Sequence, residues 1–215
     1  MQFEILRYRG VDYMIEKNNN EFKKSYRRIL QQEQFVQAVV KVANEQLPDM
    51  NLGEILDEKY GKIEDCSIAI THDGDVKWWE KTLGKVENRF AYSVKRVVGE
   101  DEGLLDHLKE ELYKLGQEIN VEYENRPVIY MYYVIRNLLL DGGVTEEFNK
   151  IMSESFDEVV WTRNRPTTQK YWTYLDVDFN KYYIPLRKSF IYGLLEKTDI
   201  KFSTLDDTIF VLARR

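Results

Sequence analysis

Apolar side chains recur at intervals of three and four residues through most of the middle of the chain, a spacing that gives a helix one buried face. The longest such stripe predicts a helix over Glu21–Gln46, in which Glu33 is the one polar residue on the apolar face. Two further stripes predict helices over Trp79–Val97 and Leu104–Ile119. We therefore expect several amphipathic helices that bury their apolar faces in a common core.

The segment Val128–Leu140 is apolar nearly all round, which is typical of a helix at the centre of a core. Pro127 precedes it, where a first-turn proline is tolerated, and Asp141-Gly142-Gly143 is expected to end it. Its β-branched and tyrosine residues also fit a strand, but its length and the glycines favour a helix. Shorter helices are predicted at Leu52–Leu56, from Thr145, and over Pro185–Lys197.

Alternating apolar and polar residues, the pattern of half-buried strands, are concentrated towards the two ends of the chain. They predict a hairpin over Met1–Lys17 with its turn at Arg9-Gly10, and strands at Asp65–Thr71, Val159–Thr162, Tyr171–Phe179 and Ile209–Ala213. The expected fold class is α+β, with central helices packed on a mainly antiparallel sheet formed by N- and C-terminal segments. We expect a single domain over residues 1–215, with the loop at 99–103 as the place for any subdomain boundary.

Composition excludes several classes of protein. The chain has 215 residues and a formal net charge of −6. Its single cysteine, Cys66, excludes an internal disulfide. One cysteine and two histidines are also too few ligands for a common structural zinc site. The N-terminus lacks the regions of a signal peptide, and the longest apolar run is shorter than the ~20 residues that span a bilayer. We therefore expect a cytoplasmic protein without a membrane partner, and the residue usage suggests a low-GC bacterium or its phage.

Two acidic pairs are the sharpest indication of chemistry, because the chain has no Walker, dinucleotide-binding, GxSxG or HExxH signature. Asp73 and Asp75 lie in THDGDV, and Asp176 and Asp178 alternate in TYLDVDFN. The hydrophobic-Asp repeat at 175–178 resembles the metal-binding strand of several nucleotidyl-transferring and nuclease families. Carboxylates on one strand face repel unless a hard cation binds, which predicts an Mg²⁺ site. The alternative is a plain turn at the first pair and ordinary half-buried strand alternation at the second.

Cations interleave with aromatic rings between residues 161 and 172. Lysine and arginine neutralise phosphates and exposed rings stack on bases, so this segment predicts a binding surface, here called the Trp/Arg loop. Its members are Trp161, Arg163, Arg165, Lys170 and Trp172. A second basic run, Lys23–Arg28, is more typical of a solvated helix face.

The segment Glu100–Glu124 is strongly acidic, with nine carboxylates and two lysines, a net charge of −7. The rest of the chain is nearly neutral. Glu110 and Glu111 lie on its predicted helix. Such a face either docks on a basic partner or simply keeps the helix soluble.

These observations rank three hypotheses for function. The first is a binding or regulatory protein that engages a protein partner through the acidic helix and the Trp/Arg loop. Its residue usage suggests that a phage encodes it. The second is an Mg²⁺-dependent enzyme that acts on nucleotide or nucleic-acid phosphates through the paired aspartates. The third is a protein that binds nucleic acid directly through the Trp/Arg loop, with an affinity that would fall steeply with salt. No cofactor is expected except Mg²⁺ under the second hypothesis.

Overall fold

The structure, a computed structural model, has the expected α+β fold, with helices in the middle of the chain and antiparallel strands towards both ends. It describes residues 4–8, 11–15, 21–119, 121, 123, 125–140, 149–163, 168–206 and 208–215, with side chains from Ser25 onward. Within these ranges, every helix is too short or too polar to cross a membrane.

The described residues form eight α-helices and six strands. The helices are α1 Glu21–Gln46, α2 Leu52–Tyr60, α3 Cys66–Ala69, α4 Val76–Glu100, α5 Leu104–Gln117, α6 Val128–Leu138, α7 Gln169–Tyr174 and α8 Ile184–Leu195, and a π-helical turn covers Phe179–Tyr183. The strands are β1 Glu4–Tyr8, β2 Val11–Ile15, β3 Asn149–Glu154, β4 Glu158–Arg163, β5 Ile200–Thr204 and β6 Ile209–Arg214. The long helices predicted from periodicity, the N-terminal hairpin strands, β4 and β6 are thereby confirmed. The expected hairpin turn at Arg9-Gly10 and the short helix from Thr145 lie outside the described residues.

The strands form two sheets rather than one shared by the ends of the chain. β1 and β2 pair with each other, with Tyr8 opposite Val11. The C-terminal strands form a four-stranded antiparallel sheet in the order β3-β4-β6-β5. The edge strands β3 and β5, which the alternation pattern missed, are the neighbours of β4 and β6, so that sheet is assembled from the C-terminal part of the chain alone.

Aromatic side chains join the helices to the sheet in one main core. Phe35 of α1 contacts Phe90 of α4 and Phe190 of α8, with ring centroids 5.8 and 4.8 Å apart. On the sheet side, Trp161 of β4 packs against Tyr132 of α6, 5.2 Å between centroids. Burial of large rings of this kind is the main favourable contribution to folding.

Helices α5 and α8 cross at two glycines, and the crossing leaves no room for a side chain. A Cβ atom on Gly116 would lie 2.2 Å from the carbonyl oxygen of Phe190, and one on Gly193 would lie 1.9 Å from that of Tyr113. Small residues let two helix backbones approach this closely. The glycines therefore set the position of α8, which packs on β5, relative to α5.

Two strand predictions are wrong. Asp65–Thr71 contains α3 and a 3₁₀ turn instead, because the Asp65 carboxylate accepts hydrogen bonds from the amides of Ser67 and Ile68 and so starts a helix. The isoleucines that suggested a buried strand face are about half exposed.

The second wrong strand, Tyr171–Phe179, contains the end of α7 and the start of the π-helical turn. Between them the backbone of Asp176 takes a positive φ of 56°, which ends any extended run. Asp178 then accepts hydrogen bonds from the amides of Asn180 and Lys181 and begins the π-helical turn. Alternation by two residues fits a strand, but these local hydrogen bonds favour helical turns.

Substituting Gly193 tests the helix crossing. Gly193→Ala places a methyl group against the Tyr113 carbonyl, so we expect it to lower the free energy of unfolding by about 3 kcal/mol. Gly99→Ala is the matched control, because Gly99 is helical and a Cβ there meets nothing within 4 Å. The control should be neutral or stabilising by up to ~1 kcal/mol. Urea denaturation followed by circular dichroism measures both changes, and equal stabilities of the two variants would contradict the tight crossing.

Candidate functional site

A buried arginine ties three segments of the helical layer together. Arg89 of α4, 2% exposed, donates two hydrogen bonds to the carboxylate of Glu33 on α1, at 3.0 and 2.8 Å. Its Nη1 donates to Asp57 of α2 at 3.0 Å and to the carbonyl of Gly61 at 2.8 Å. Burial lowers the pKa of Arg89, but the two carboxylates outweigh burial and leave that pKa raised. The one polar residue on the apolar stripe of α1 is thus the partner of this buried cation.

Because Arg89 holds α2 against α4, the end of α2 lies beside the outer face of α4. The rings of Tyr60 on α2 and Tyr92 on α4 meet edge to face, 5.7 Å between centroids. Cations and a third tyrosine surround this pair. We call the set the tyrosine–lysine surface, and it consists of Lys59, Tyr60, Tyr92, Lys95, Arg96 and Tyr174.

Three cations of this surface lie beside the tyrosine pair. Lys59 Nζ is 4.3 Å from the centroid of Tyr92 and 5.7 Å from that of Tyr60, which is cation–π geometry. Arg96 donates a hydrogen bond to the Tyr92 hydroxyl at 3.4 Å. That hydrogen bond is the main cause of a lowered Tyr92 pKa, and Lys59, Arg96 and Lys95 lower it further by their charge. Three positive charges therefore lie around Tyr92.

The third tyrosine comes from α7. The Tyr174 side chain is 84% exposed, the most exposed of the large hydrophobic side chains in the described part of the chain. Lys95 of α4 donates a hydrogen bond to the carbonyl of Leu175 at 2.6 Å, which joins the end of α7 to α4. The pKa of Tyr60 is raised, first by burial and then by the nearby hydroxyls of Tyr92 and Tyr174. The Lys95–Leu175 hydrogen bond therefore places Tyr174, at the end of α7, beside the face of α4 that carries Tyr92.

This arrangement suits a ligand that carries both negative charge and flat rings. Lysine and arginine neutralise phosphates, while accessible tyrosine rings offer faces on which bases stack. A cationic ligand would be repelled by the three cations already beside the rings.

Three of the five residues of the Trp/Arg loop, Trp161, Arg163 and Trp172, are buried, and this corrects the expectation from sequence for those three. Trp161 and Trp172 are 1% and 0% exposed and belong to the core, so neither ring can stack on a ligand in the folded protein. Arg163 is buried on β4, where its Nη2 donates to Thr168 at 3.1 Å. Lys170 is exposed on α7, with its Nζ 5.0 Å from the centroid of Tyr171. Arg165 lies outside the described residues.

The two aspartate pairs do not come together as one metal site. In the part of the chain that the structure describes, no group of three or more His, Cys, Asp or Glu side chains is placed to hold a metal ion. Asp75 accepts a hydrogen bond from the amide of Trp78 and begins α4, much as Asp178 begins the π-helical turn. Asp73 and Asp176 are exposed in turns. Helix capping accounts for one member of each pair without a cation.

Lysines partly neutralise the acidic helix α5. Glu110 pairs with Lys114 at 2.8 Å, and Glu111 contacts both Lys114 and Lys41 of α1. The hydrogen bonds and charges of these lysines lower the pKa of both glutamates, although burial opposes the shift at Glu111. A groove of about 200 Å³ lies between α1 and α5 at this place. Glu122 and Glu124, which add to the acidic stretch, lie outside the described residues.

Comparison of the chain with protein-family models, with curated proteins and with solved structures finds no match.

Part of the tyrosine–lysine surface is visible in the sequence. Tyr92, Lys95 and Arg96 are spaced by three and four residues, which places them on one helix face. Lys59 and Tyr60 are adjacent at the end of a short helix. The alternation over residues 171–179 predicts a strand at Tyr174, and nothing local indicates that the three segments meet.

Removal of the buried arginine should destabilise the helical layer. Arg89→Met leaves the carboxylates of Glu33 and Asp57 without their shared partner, and we expect the free energy of unfolding to fall by about 3 kcal/mol. Combining it with Glu33→Leu removes the less exposed of the two carboxylates and should recover part of the loss. Urea denaturation measures both variants. A double variant less stable than Arg89→Met would count against this role of the ion pair.

The two paired tyrosines should ionise at different pH values. Arg96 stabilises the tyrosinate form of Tyr92, so Arg96→Gln should raise the Tyr92 pKa towards the ordinary tyrosine value of about 10. NMR titration of the ring Cζ signals follows each tyrosine, with Tyr92→Phe assigning its signal. Lys201→Ala, on the edge strand β5, should leave the Tyr92 pKa unchanged. If Tyr92 ionises above Tyr60 in the wild-type protein, the electrostatic description of this surface is wrong.

Proposed function

We propose that this protein binds nucleic acid through the tyrosine–lysine surface. The observation that carries the proposal is the contact of cations with a pair of tyrosines: Lys59 lies over the rings of Tyr60 and Tyr92, which meet edge to face, and Arg96 donates a hydrogen bond to the Tyr92 hydroxyl. A surface with positive potential and accessible rings matches phosphates and bases together.

The net charge of −6 does not oppose this proposal, because the charge is unevenly distributed. The segment Glu100–Glu124 alone carries −7, so the rest of the chain sums to +1. That segment begins at the end of α4, four residues after Arg96. The charges in direct contact with the tyrosine pair are nevertheless cations, since Lys59 lies over the two rings and Arg96 donates a hydrogen bond to the Tyr92 hydroxyl.

The protein-partner hypothesis, which the sequence placed first, has less support than nucleic-acid binding. It relied on the Trp/Arg loop, whose tryptophans lie in the core, and on α5, whose Glu110 and Glu111 are paired with lysines. The magnesium-enzyme hypothesis relied on four aspartates, of which Asp75 and Asp178 serve as helix caps. Nucleic-acid binding through the Trp/Arg loop loses the same two tryptophans. The proposal places nucleic-acid binding on the tyrosine–lysine surface instead.

Fluorescence anisotropy with a labelled oligonucleotide tests the proposal on the full chain. Lys59→Ala, Lys95→Ala and Arg96→Gln should each weaken binding several-fold and reduce the slope of log K against log salt by about 0.7 to 0.9 per lost phosphate contact. Lys201→Ala is the matched control, since it removes the same charge from an exposed position on β5 and should leave affinity unchanged.

Two results would count against the proposal. One is binding that does not change between about 50 and 200 mM salt, because contacts to phosphates release counterions. The other is an equal loss of affinity in Lys201→Ala and in the surface variants, which would indicate nonspecific attraction to the whole protein.

A further inference from the structure

Resting on the proposed function, the geometry points to single-stranded nucleic acid as the ligand, with Tyr174 as a platform on which one base stacks. The cations of the tyrosine–lysine surface then contact the backbone on either side of that base.

The exposure of Tyr174 is the first observation behind this inference. Trp172, two residues earlier on α7, lies fully in the core, where it contacts Phe90 with centroids 5.5 Å apart. Residues two apart point to different sides of a helix, so the helix that buries Trp172 turns Tyr174 outward. The 84% exposure leaves the Tyr174 ring accessible to a flat ligand.

The tyrosine pair beside it is the second observation. Tyr60 and Tyr92 are partly exposed and already hold the ammonium of Lys59 over their rings. This cation–π contact keeps Lys59 next to the rings, where its charge also reaches a phosphate adjoining a stacked base. Lys95 and Arg96 add two more positive charges on α4, the helix that carries Tyr92.

Rings and cations together discriminate between single and double strands. In a duplex the base faces are stacked on one another, so a duplex can use the three cations but not the ring of Tyr174. In a single strand the faces of unstacked bases are free, and aromatic stacking adds to the phosphate contacts. The exposed ring therefore favours a single strand over a duplex of the same sequence.

The test measures the affinity of the full chain for four labelled probes. These are a DNA oligonucleotide of about twelve nucleotides, its RNA counterpart, the blunt DNA duplex of the same sequence, and heparin as a polyanion without bases. The variants are Tyr174→Ala, Tyr174→Trp and the control Tyr133→Ala, which removes another exposed tyrosine from α6. Because Tyr174 is so exposed, we expect its variants to keep the wild-type circular dichroism spectrum.

We expect both single strands, or one of them, to bind more tightly than the duplex. Tyr174→Ala should weaken single-strand binding roughly tenfold and leave duplex and heparin binding within about twofold of wild type. Tyr174→Trp should bind the single strand at least as tightly as wild type, and Tyr133→Ala should change nothing. A preference for RNA over DNA would identify the sugar as a further contact and support the same inference.

Three results would overturn it. If the duplex binds as tightly as the single strands and Tyr174→Ala has no effect, the single-strand inference fails while nucleic-acid binding stands. If Tyr174→Ala weakens heparin binding equally, the tyrosine does not act by stacking on bases. If none of the probes binds, the proposed function itself fails.

Discussion

The arrangement of the helical layer depends on the contact of one buried guanidinium with two carboxylates. Arg89 uses a planar set of donors to bind Glu33 at two points and Asp57 at a third, a geometry that a lysine cannot reproduce. An uncompensated charge in this place would be strongly destabilising, so α1, α2 and α4 keep one mutual position. That position sets Tyr60 of α2 against Tyr92 of α4 and so forms the centre of the tyrosine–lysine surface.

Some aromatic residues of this chain fill the core and others lie on the surface, and the residue type alone does not show which. Trp161 and Trp172 look like ligand-binding residues because cations flank them in the sequence, but both rings fill the space between the helices and the sheet. Tyr174, only two residues from Trp172, is almost fully exposed. The difference follows from helix geometry, because the face of α7 that supplies the core cannot also supply the surface.

The position of a charged residue in the sequence also does not show whether its charge is neutralised by a neighbour in the fold. Carboxylates of α5 are paired with lysines from α5 itself and from α1, which leaves less of the acidic potential that the sequence suggests. Around Tyr92 the opposite holds, since the charged groups that act on its hydroxyl are cations. A chain with a net charge of −6 can therefore gather several cations around one tyrosine.

The sequence by itself determined the long helices, because an amphipathic helix repeats its apolar residues along its whole length, and it determined that the two ends of the chain contain strands. It failed at Asp65–Thr71 and Tyr171–Phe179, where the pattern is short and capping by Asp65 and Asp178 favours helical turns. It also contains the spacing of Tyr92 and Arg96, which places both on one helix face, but that spacing alone does not mark them as a site. Only the tertiary structure decided that the segments of the site meet, because the contacts responsible join residues 32, 56 and 80 positions apart, at Asp57–Arg89, Glu33–Arg89 and Lys95–Leu175. The periodicity of a short segment does not indicate such pairs. Their hydrogen bonds stabilise the protein only after distant segments of the chain have packed together, and closing the long loops between them costs entropy.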